Sequence, residues 1–464
     1  MAEHPSPGAP HELVVLRRIR ACDPASGLDA VVDLVVERGR ITRLGPDAAA
    51  DLGGARAGAL WLERPGLWVL PAFVDLHAHF REPGHEHKED IPSGLAAAAA
   101  GGFAHVCVMP NTRPVNDTAE LTRTMVARAA AVGGSALHPV GAITRGLEGR
   151  ELTDAAALRR AGAVALSDDG RCVTSAAVMR AALAQARAVG LPVIQHAEEH
   201  SLTEGAQMHE GPLSRRLGLR GWPRAAEDRV VARDLLLLAD VGGRYHVAHV
   251  STAGAVELVR EAKSRGLAVP AEATPHHLLL TDQALLGAEA APGAPDGGLD
   301  TRCKVNPPLR EPHDVEALRA GLRDGTIDAI ATDHAPHSAR EKDCAFSLAA
   351  PGMIGLELAL PMLLPLVHRG ELALERLIDA LSHAPAGIVG LEPPRLRVGA
   401  VGELCVIDPV RPVVVDAALL RSKSRNSPFV GKPGTGSVEL TLAGGTVVFQ
   451  REPSDAAAAG APAR

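Results

Sequence analysis

Through the middle of the chain, short apolar runs alternate with alanine-rich stretches of helical period. The runs at 68–79, 105–110, 137–142, 163–168, 192–197, 245–250, 268–273 and 328–333 have the length and composition of buried strands. Amphipathic segments at 117–132, 153–161, 174–189, 225–239, 252–265 and 312–323 fall between them and read as helices. Eight strands, mostly separated by helices, predict an α/β chain folded as a (β/α)8 barrel of the TIM type. The two ends have a different texture. Val14-Val15-Leu16 and 31–36 near the start, and 402–407, 413–415, 437–442 and 445–449 near the end, are short β-like runs, with turn signals at Asp23-Pro24 and Gly45-Pro46. Neither end is long enough for a good core, so the two are expected to pair into one small β domain beside the barrel. The expected division is 1–70 and 386–453 for the two parts of that domain, 71–385 for the barrel, and 454–464 for a disordered Ala/Gly/Pro-rich tail. The Ala/Gly/Pro-rich stretch 287–299 reads as an insertion. The apolar run 358–367 is too short to span a bilayer, contains Pro361 and Pro365, and reads as a core helix segment.

Composition narrows the function. The chain has 464 residues, a formal net charge of -7 and 2% aromatic residues, which argues against a nucleic-acid partner and against base-stacking platforms. Six scattered cysteines with no Cys-x-x-Cys pair suit a reduced, cytoplasmic protein. Residues 1–10 show no basic region followed by an apolar core, so neither a secretory signal nor a membrane association is expected.

The chemistry begins at Asp75-Leu76-His77-Ala78-His79-Phe80-Arg81-Glu82-Pro83-Gly84. Side chains alternate along a strand, so His77 and His79 point the same way, about 7 Å apart. Alone, such a pair could be a decorated loop. The other candidate strands decide, because they too end in polar residues: Met109-Pro110-Asn111-Thr112, Ser167-Asp168-Asp169-Gly170, Gln195-His196-Ala197-Glu198, His249-Val250-Ser251-Thr252 and Thr332-Asp333-His334-Ala335-Pro336-His337. Reactive residues of a barrel lie at these C-terminal strand ends. His77, His79, Asp169, His196, His249 and Asp333 are too many ligands for one ion and enough for two that share a carboxylate and a hydroxide. Nitrogen and oxygen donors without thiolate suit zinc, with manganese or cobalt admitted by the chemistry. Arg81 offers a bidentate fork to a carboxylate.

These motifs, with Lys88-Glu89-Asp90, Lys342 and Ser424-Arg425-Asn426-Ser427-Pro428-Phe429, closely resemble dihydroorotase of the amidohydrolase superfamily, over nearly the whole chain. The resemblance implies a (β/α)8 barrel with a β-sandwich built from both termini. It also implies two Zn2+ per chain and the reversible, zinc-dependent cyclisation of N-carbamoyl-L-aspartate to (S)-dihydroorotate plus water in de novo pyrimidine biosynthesis. Many amidohydrolases bridge their metals with a carboxylated lysine, but no lysine lies between Lys88 and Lys263, so the chain is similar to the bacterial type I enzymes, in which an aspartate bridges. The family's spacing favours Asp169 for the bridge, with Asp168 the alternative. By the same resemblance His77, His79 and Asp333 bind one zinc, and His196 and His249 the other. A hydroxide between them would be the nucleophile and Asp333 the general acid/base. Arg81, Asn111 and His337 resemble the family's carboxylate-binding residues, Asn306 a substrate-binding asparagine, and the backbone at Pro351 and Gly352 is expected to touch the ring. The family also admits a homodimer or a complex with aspartate transcarbamoylase.

Other histidines have plain readings: His105 and His138 sit near strand starts, His85 and His87 in a solvated loop, and His276-His277 at the end of the seventh strand. Asp75 is expected to orient a ligand or nearby backbone, and Cys107 to be a small core residue. Three competing functions stay in view. An allantoinase or hydantoinase would want the missing lysine, a non-catalytic subunit scaffolding aspartate transcarbamoylase would lose ligands, and a single-metal deaminase would not need Arg81 with Asn111.

Overall fold

The computed structural model describes residues 12–52, 58–287 and 298–452. The chain start, the expected tail at 454–464 and most of the 287–299 insertion lie outside the described residues. The strands run in chain order as β1 (Leu13–Asp23), β2 (Leu28–Glu37), β3 (Arg40–Gly45), β4 (Ala59–Glu63) and β5 (Trp68–Pro71), then β6 (Phe73–Ala78), β7 (Phe103–Val108), β8 (Ala136–Ala142), β9 (Ala165–Ser167), β10 (Val193–Gln195), β11 (Met208–His209), β12 (Gly221–Trp222), β13 (Tyr245–Val247), β14 (Glu272–Ala273) and β15 (Ala329–Ile330), and finally β16 (Leu404–Val414), β17 (Pro433–Ala443) and β18 (Thr446–Gln450).

Both ends of the chain build one eight-stranded sheet in the order β18-β17-β16-β5-β1-β2-β3, with β4 also on β1. Its buried face, including Leu16, Ile19, Leu34, Val69, Val406 and Leu440, forms a core of its own, shared by strands from both ends. The six-stranded sheet β13-β10-β9-β8-β7-β6 is parallel throughout, and β14 pairs in parallel with β15. Single parallel bridges, Val247↔Ala271 and Ala78↔His334, connect the two sets. The result is a mixed α/β fold with a curled parallel sheet. Strand β6 is buried at every position, as a parallel strand covered on both faces should be. Leu76, Cys107, Val140, Ala165, Ile194, Ala248 and Ala329 pack together from successive strands, which makes Cys107 the small core residue expected.

The apolar run 68–79 is not one strand. It divides at Ala72, whose N–H bonds Glu403 O at 3.2 Å, while Phe73 N bonds Gly102 O at 2.9 Å. Strand β5 pairs antiparallel with β16 in the terminal sheet and β6 pairs parallel with β7. A run that is apolar at every position carries no period to mark such a junction.

Helices Ala119–Val132, Ala155–Ala161, Ala176–Val189, Ala225–Val241, Ala253–Ser264 and Pro312–Asp324 match the six expected, and Ala359–His368 is the expected core helix. Helix Ile91–Ala100 was not expected. Asp90 caps it, its carboxylate accepting Ser93 N–H at 2.9 Å. Its glycine permits close packing, since a Cβ on Gly94 would meet the Phe80 ring at 2.5 Å. All six cysteines are free, five of them buried. Among the described residues no helix is long and apolar enough to cross a membrane.

Candidate metal centre

The parallel strands bring the six predicted ligands together at their C-terminal ends. His77 is the penultimate residue of β6 and His79 lies just beyond it, with His79 N bonded to His334 O at 2.8 Å. Asp169 follows β9, His196 follows β10, His249 follows β13 and Asp333 follows β15. Arg81, His249 and Asp333 have φ of 61°, 28° and 44°. A non-glycine residue in that region costs about 1–3 kcal/mol, so the surrounding bonds must hold it there. His249 N donates to Glu272 Oε1 at 3.2 Å. The residue before Asp333 is fixed by Asp75, whose carboxylate accepts Thr332 N–H at 2.9 Å and His77 N–H at 3.2 Å. Asp75 therefore orients neighbouring backbone, as expected.

Asp169 is the hub. Its Oδ1 lies 3.2 Å from His77 Nε2 and 3.6 Å from both His196 Nδ1 and His249 Nε2, and its Oδ2 lies 3.5 Å from His79 Nε2. Asp333 Oδ1 is 3.2 Å from His79 Nε2 and 3.7 Å from His77 Nε2. Two metal-competent triads result, His77/His79/Asp169 and Asp169/His196/His249, all buried. Asp168 turns away, its carboxylate accepting Thr144 N–H at 2.9 Å and the Thr144 hydroxyl. Of the two candidate aspartates, Asp169 is the one in the cluster.

The donor set suits divalent cations. Among the described residues, His77 Nε2 and Asp169 Oδ1 are buried without a hydrogen-bond partner, despite lying 3.2 Å apart. Buried polar atoms left unpaired in a native fold call for an explanation, and an ion is one. Outer partners aim the rings. His77 Nδ1 lies 3.0 Å from Glu272 Oε1, and His79 Nδ1 2.9 Å from Asn111 Oδ1, which turns each Nε2 toward Asp169. His196 is reversed: Nε2 meets Glu198 Oε2 at 3.0 Å and Nδ1 faces inward. Burial would lower its pKa, but Asp169 and Glu198 push it up to about 10.

Sequence reasoning missed Glu272, which is fully buried and also meets His246 Nε2 at 2.9 Å. Burial favours its neutral form, yet His246 and His77 hold it down to about 2. The available signal was a lone carboxylate inside an apolar strand, Ala271-Glu272-Ala273. Glu272→Gln should weaken metal retention by about 10–100-fold, read by metal analysis after graded chelator dialysis. Unchanged retention would mean that Glu272 only fills space.

Several of the predicted substrate-side residues contact the cluster or one another. Arg81 is half-buried, with Nε on Pro336 O at 3.3 Å. His337 Nε2 meets Pro351 O at 2.9 Å, and burial, with the charge of Arg81 adding to it, pushes this imidazole down to about 3. Asn111 is already engaged, with Nδ2 3.4 Å from Asp169 Oδ2. Asn306 Nδ2 donates to Glu198 Oε2 at 3.2 Å, while its Oδ1 is unpartnered among the described residues. Gly352 has φ of 137°, and a Cβ there would meet Ala335 Cβ at 2.8 Å and His337 Nε2 at 3.0 Å, so only glycine fits.

A segment from the terminal sheet reaches across to hold these loops. Between β16 and β17, Asn426 accepts His337 N–H at 3.1 Å and donates to Ala335 O at 3.0 Å and Gly352 O at 3.1 Å. Ser424 Oγ donates to Lys88 O at 2.8 Å, and the Ser422 hydroxyl bonds Glu89, which meets His334 Nε2 at 3.2 Å. Losing three hydrogen bonds of about 1 kcal/mol each should loosen His337 and Gly352. Asn426→Ala is expected to raise KM roughly tenfold with a smaller fall in kcat, in steady-state assays of the reaction proposed below. An unchanged KM would refute this positioning role.

His276 and His277 are buried near enough to His249 and Asp333 to feel their charges, whereas the histidines at the strand starts lie apart from the cluster. His105 Nδ1 meets His138 Nε2 at 3.0 Å, and His105 Nε2 meets Glu403 at 3.2 Å, beside the terminal sheet. His87 is exposed and His85 partly so. His277 is taken up by Thr274 and by Pro307 O.

Comparison with known proteins gives the same direction. The family model for Dihydro-orotase-like proteins matches residues 66–255. The dihydroorotase of Anaeromyxobacter dehalogenans (strain 2CP-1) is 49% identical over 94% of this chain and 98% of its own length. That of Syntrophobacter fumaroxidans is 47% identical over 94% and 97%. Among solved structures, the L-hydantoinase (dihydropyrimidinase) from Arthrobacter aurescens superposes with a TM-score of 0.80 at 26% identity, covering 94% of this chain and 96% of that one. With curated relatives near half identity over almost their entire length, the chain belongs to the dihydroorotase family.

Proposed function

We propose that this protein is a dihydroorotase, a hydrolase of cyclic amide C–N bonds that interconverts N-carbamoyl-L-aspartate and (S)-dihydroorotate in pyrimidine biosynthesis. The observation that carries the reading is the convergence of four imidazoles on Asp169, with Asp333, Arg81 and Asn111 beside them. In this reading His77, His79 and Asp333 would hold one zinc ion, His196 and His249 the other, and Asp169 would serve both. A pair of such ions, when bound, supplies an activated water and a Lewis acid for the amide carbonyl. Asp333, 3.2 Å from His79 Nε2, is placed to take the proton of the attacking water and return it to the ring nitrogen as the C–N bond breaks. Arg81 offers its fork to the carboxylate present in both compounds. Asn111, Asn306, His337 and the Pro351-Gly352 backbone complete the pocket around the ring.

The same reading closes the parallel strands into a (β/α)8 barrel over 71–385, with 1–70 and 386–453 as the two parts of a β-sandwich. The bridges Val247↔Ala271 and Ala78↔His334 support closure, because they join β13 to the β14 side and the β15 side back to β6. The test is an ultraviolet assay with the zinc-loaded protein. Loss of dihydroorotate absorbance is expected, with little turnover of hydantoin or allantoin. A preference for either of those rings would overturn the reading.

A further inference from the structure

The chemistry above leaves Lys342 without a task. This lysine ends the short helix Ala339–Lys342 and is only 3% exposed. A buried ammonium is most often matched to a carboxylate. Lys342 donates instead to three backbone carbonyls: Ala350 O at 2.7 Å, Thr301 O at 2.9 Å and Lys304 O at 3.2 Å. An ammonium has three N–H donors, so all of them go to main chain. The acceptors belong to two segments far apart in sequence. Gly352 N also donates to Lys304 O at 2.8 Å, which ties those segments to each other. The Thr301 hydroxyl returns a bond to Lys342 O at 2.7 Å. One segment runs on from Lys304 to Asn306, and the other from Ala350 to Pro351 and Gly352.

We propose that Lys342 is a positioning residue for substrate binding, whose ammonium clamps 301–304 to 350–352 and so sets Asn306 and the Pro351-Gly352 backbone against the ring. The proposal rests on the function proposed above. A neutral amine keeps two N–H donors and a lone pair, so it cannot serve three carbonyls. Burial loosens the proton. It pushes Lys342 down to about 7, with the ammonium of Lys304 adding to it, while Cys303, Asp300 and Cys344 act the other way. The clamp is therefore closed below that value and opens as pH rises through it. The sign separates Lys342 from Glu357, whose carboxyl burial pushes up to about 7. Glu357 accepts Arg421 N–H and Ser422 N–H, and those bonds strengthen as it ionises.

The test compares the zinc-loaded wild type with Lys342→Met, which fills nearly the same space without the donors. At about pH 6, the variant's KM for dihydroorotate should be raised roughly tenfold, with kcat within about threefold of wild type and metal content unchanged. Amide hydrogen exchange should quicken at 301–306 and 350–352 and stay slow in β7. From about pH 6 to about pH 9 the ratio of variant KM to wild-type KM should shrink toward one, because the wild type loses its own clamp. A merely space-filling lysine would leave that ratio constant. A wild-type KM in the folded variant, or a ratio that does not move with pH, would overturn the proposal alone. Should Lys342→Met fail to fold, the wild type decides: a KM that rises over the same pH range supports the clamp, and a flat or falling KM overturns it. A wild type that does not convert dihydroorotate would overturn the functional reading, and this proposal with it.

Discussion

Replacing Asp333 by alanine should lower kcat for dihydroorotate hydrolysis by a factor of about 10³ or more. General acid–base catalysis by one positioned side chain contributes typically ~10²–10⁴-fold, and Asp333 is proposed to hold a metal as well. Its strained backbone, with φ of 44°, and its approach to both His77 and His79 place it where the two roles meet. Asp333→Asn separates them. The amide keeps an oxygen for the metal but cannot take a proton from water. The expected result is metal content near that of wild type with kcat still reduced at least ~10²-fold. Full activity in either variant, measured by the ultraviolet assay alongside metal analysis, would refute the role given to Asp333.

Asp169→Ala should remove activity by a different route, through loss of the ions. Asp169 belongs to both triads, so its removal leaves four buried imidazoles without their shared anion. Metal content is expected to fall below one ion per chain, with turnover down by more than ~10³-fold. Asp168→Ala is the matched control. It breaks the bonds to Thr144 N and the Thr144 hydroxyl at a cost of about 1–3 kcal/mol in stability, but the metal should stay. The opposite pattern, with metal lost from Asp168→Ala and kept by Asp169→Ala, would reverse the assignment of the bridge.

The contrast between these neighbours shows what a sequence can and cannot carry. The strand ends were legible because a buried strand followed by ligand-type residues recurs along the chain. That recurrence predicts His77, His79, His196, His249 and Asp333 at the same end of the parallel strands. Choosing between Asp168 and Asp169 is harder, because one residue of slip flips the side chain to the other face. Family spacing pointed to Asp169, and the bond from Asp168 to Thr144 supplies the physical reason. The break at Ala72 was hidden inside an unbroken apolar run. The runs 268–273 and 328–333, expected as the seventh and eighth strands, form a ladder at Glu272–Ala273 with Ala329–Ile330, and Ala271 adds a single bridge to Val247. Beyond Ile330 the chain pairs again at His334, which bridges Ala78, and Asp333 between them takes a φ of 44°. Glu272 and Asn426 act through contacts made 195 and 89 residues away in sequence, which no local pattern encodes.

Metal stoichiometry measured against activity tests the central claim most directly. Stripped protein would be titrated with zinc while dihydroorotate hydrolysis is followed, and the bound metal counted at each point. The two triads around Asp169 predict that activity reaches its plateau at two zinc ions per chain. Full activity with one ion or none would contradict a centre in which Asp169 joins two metals.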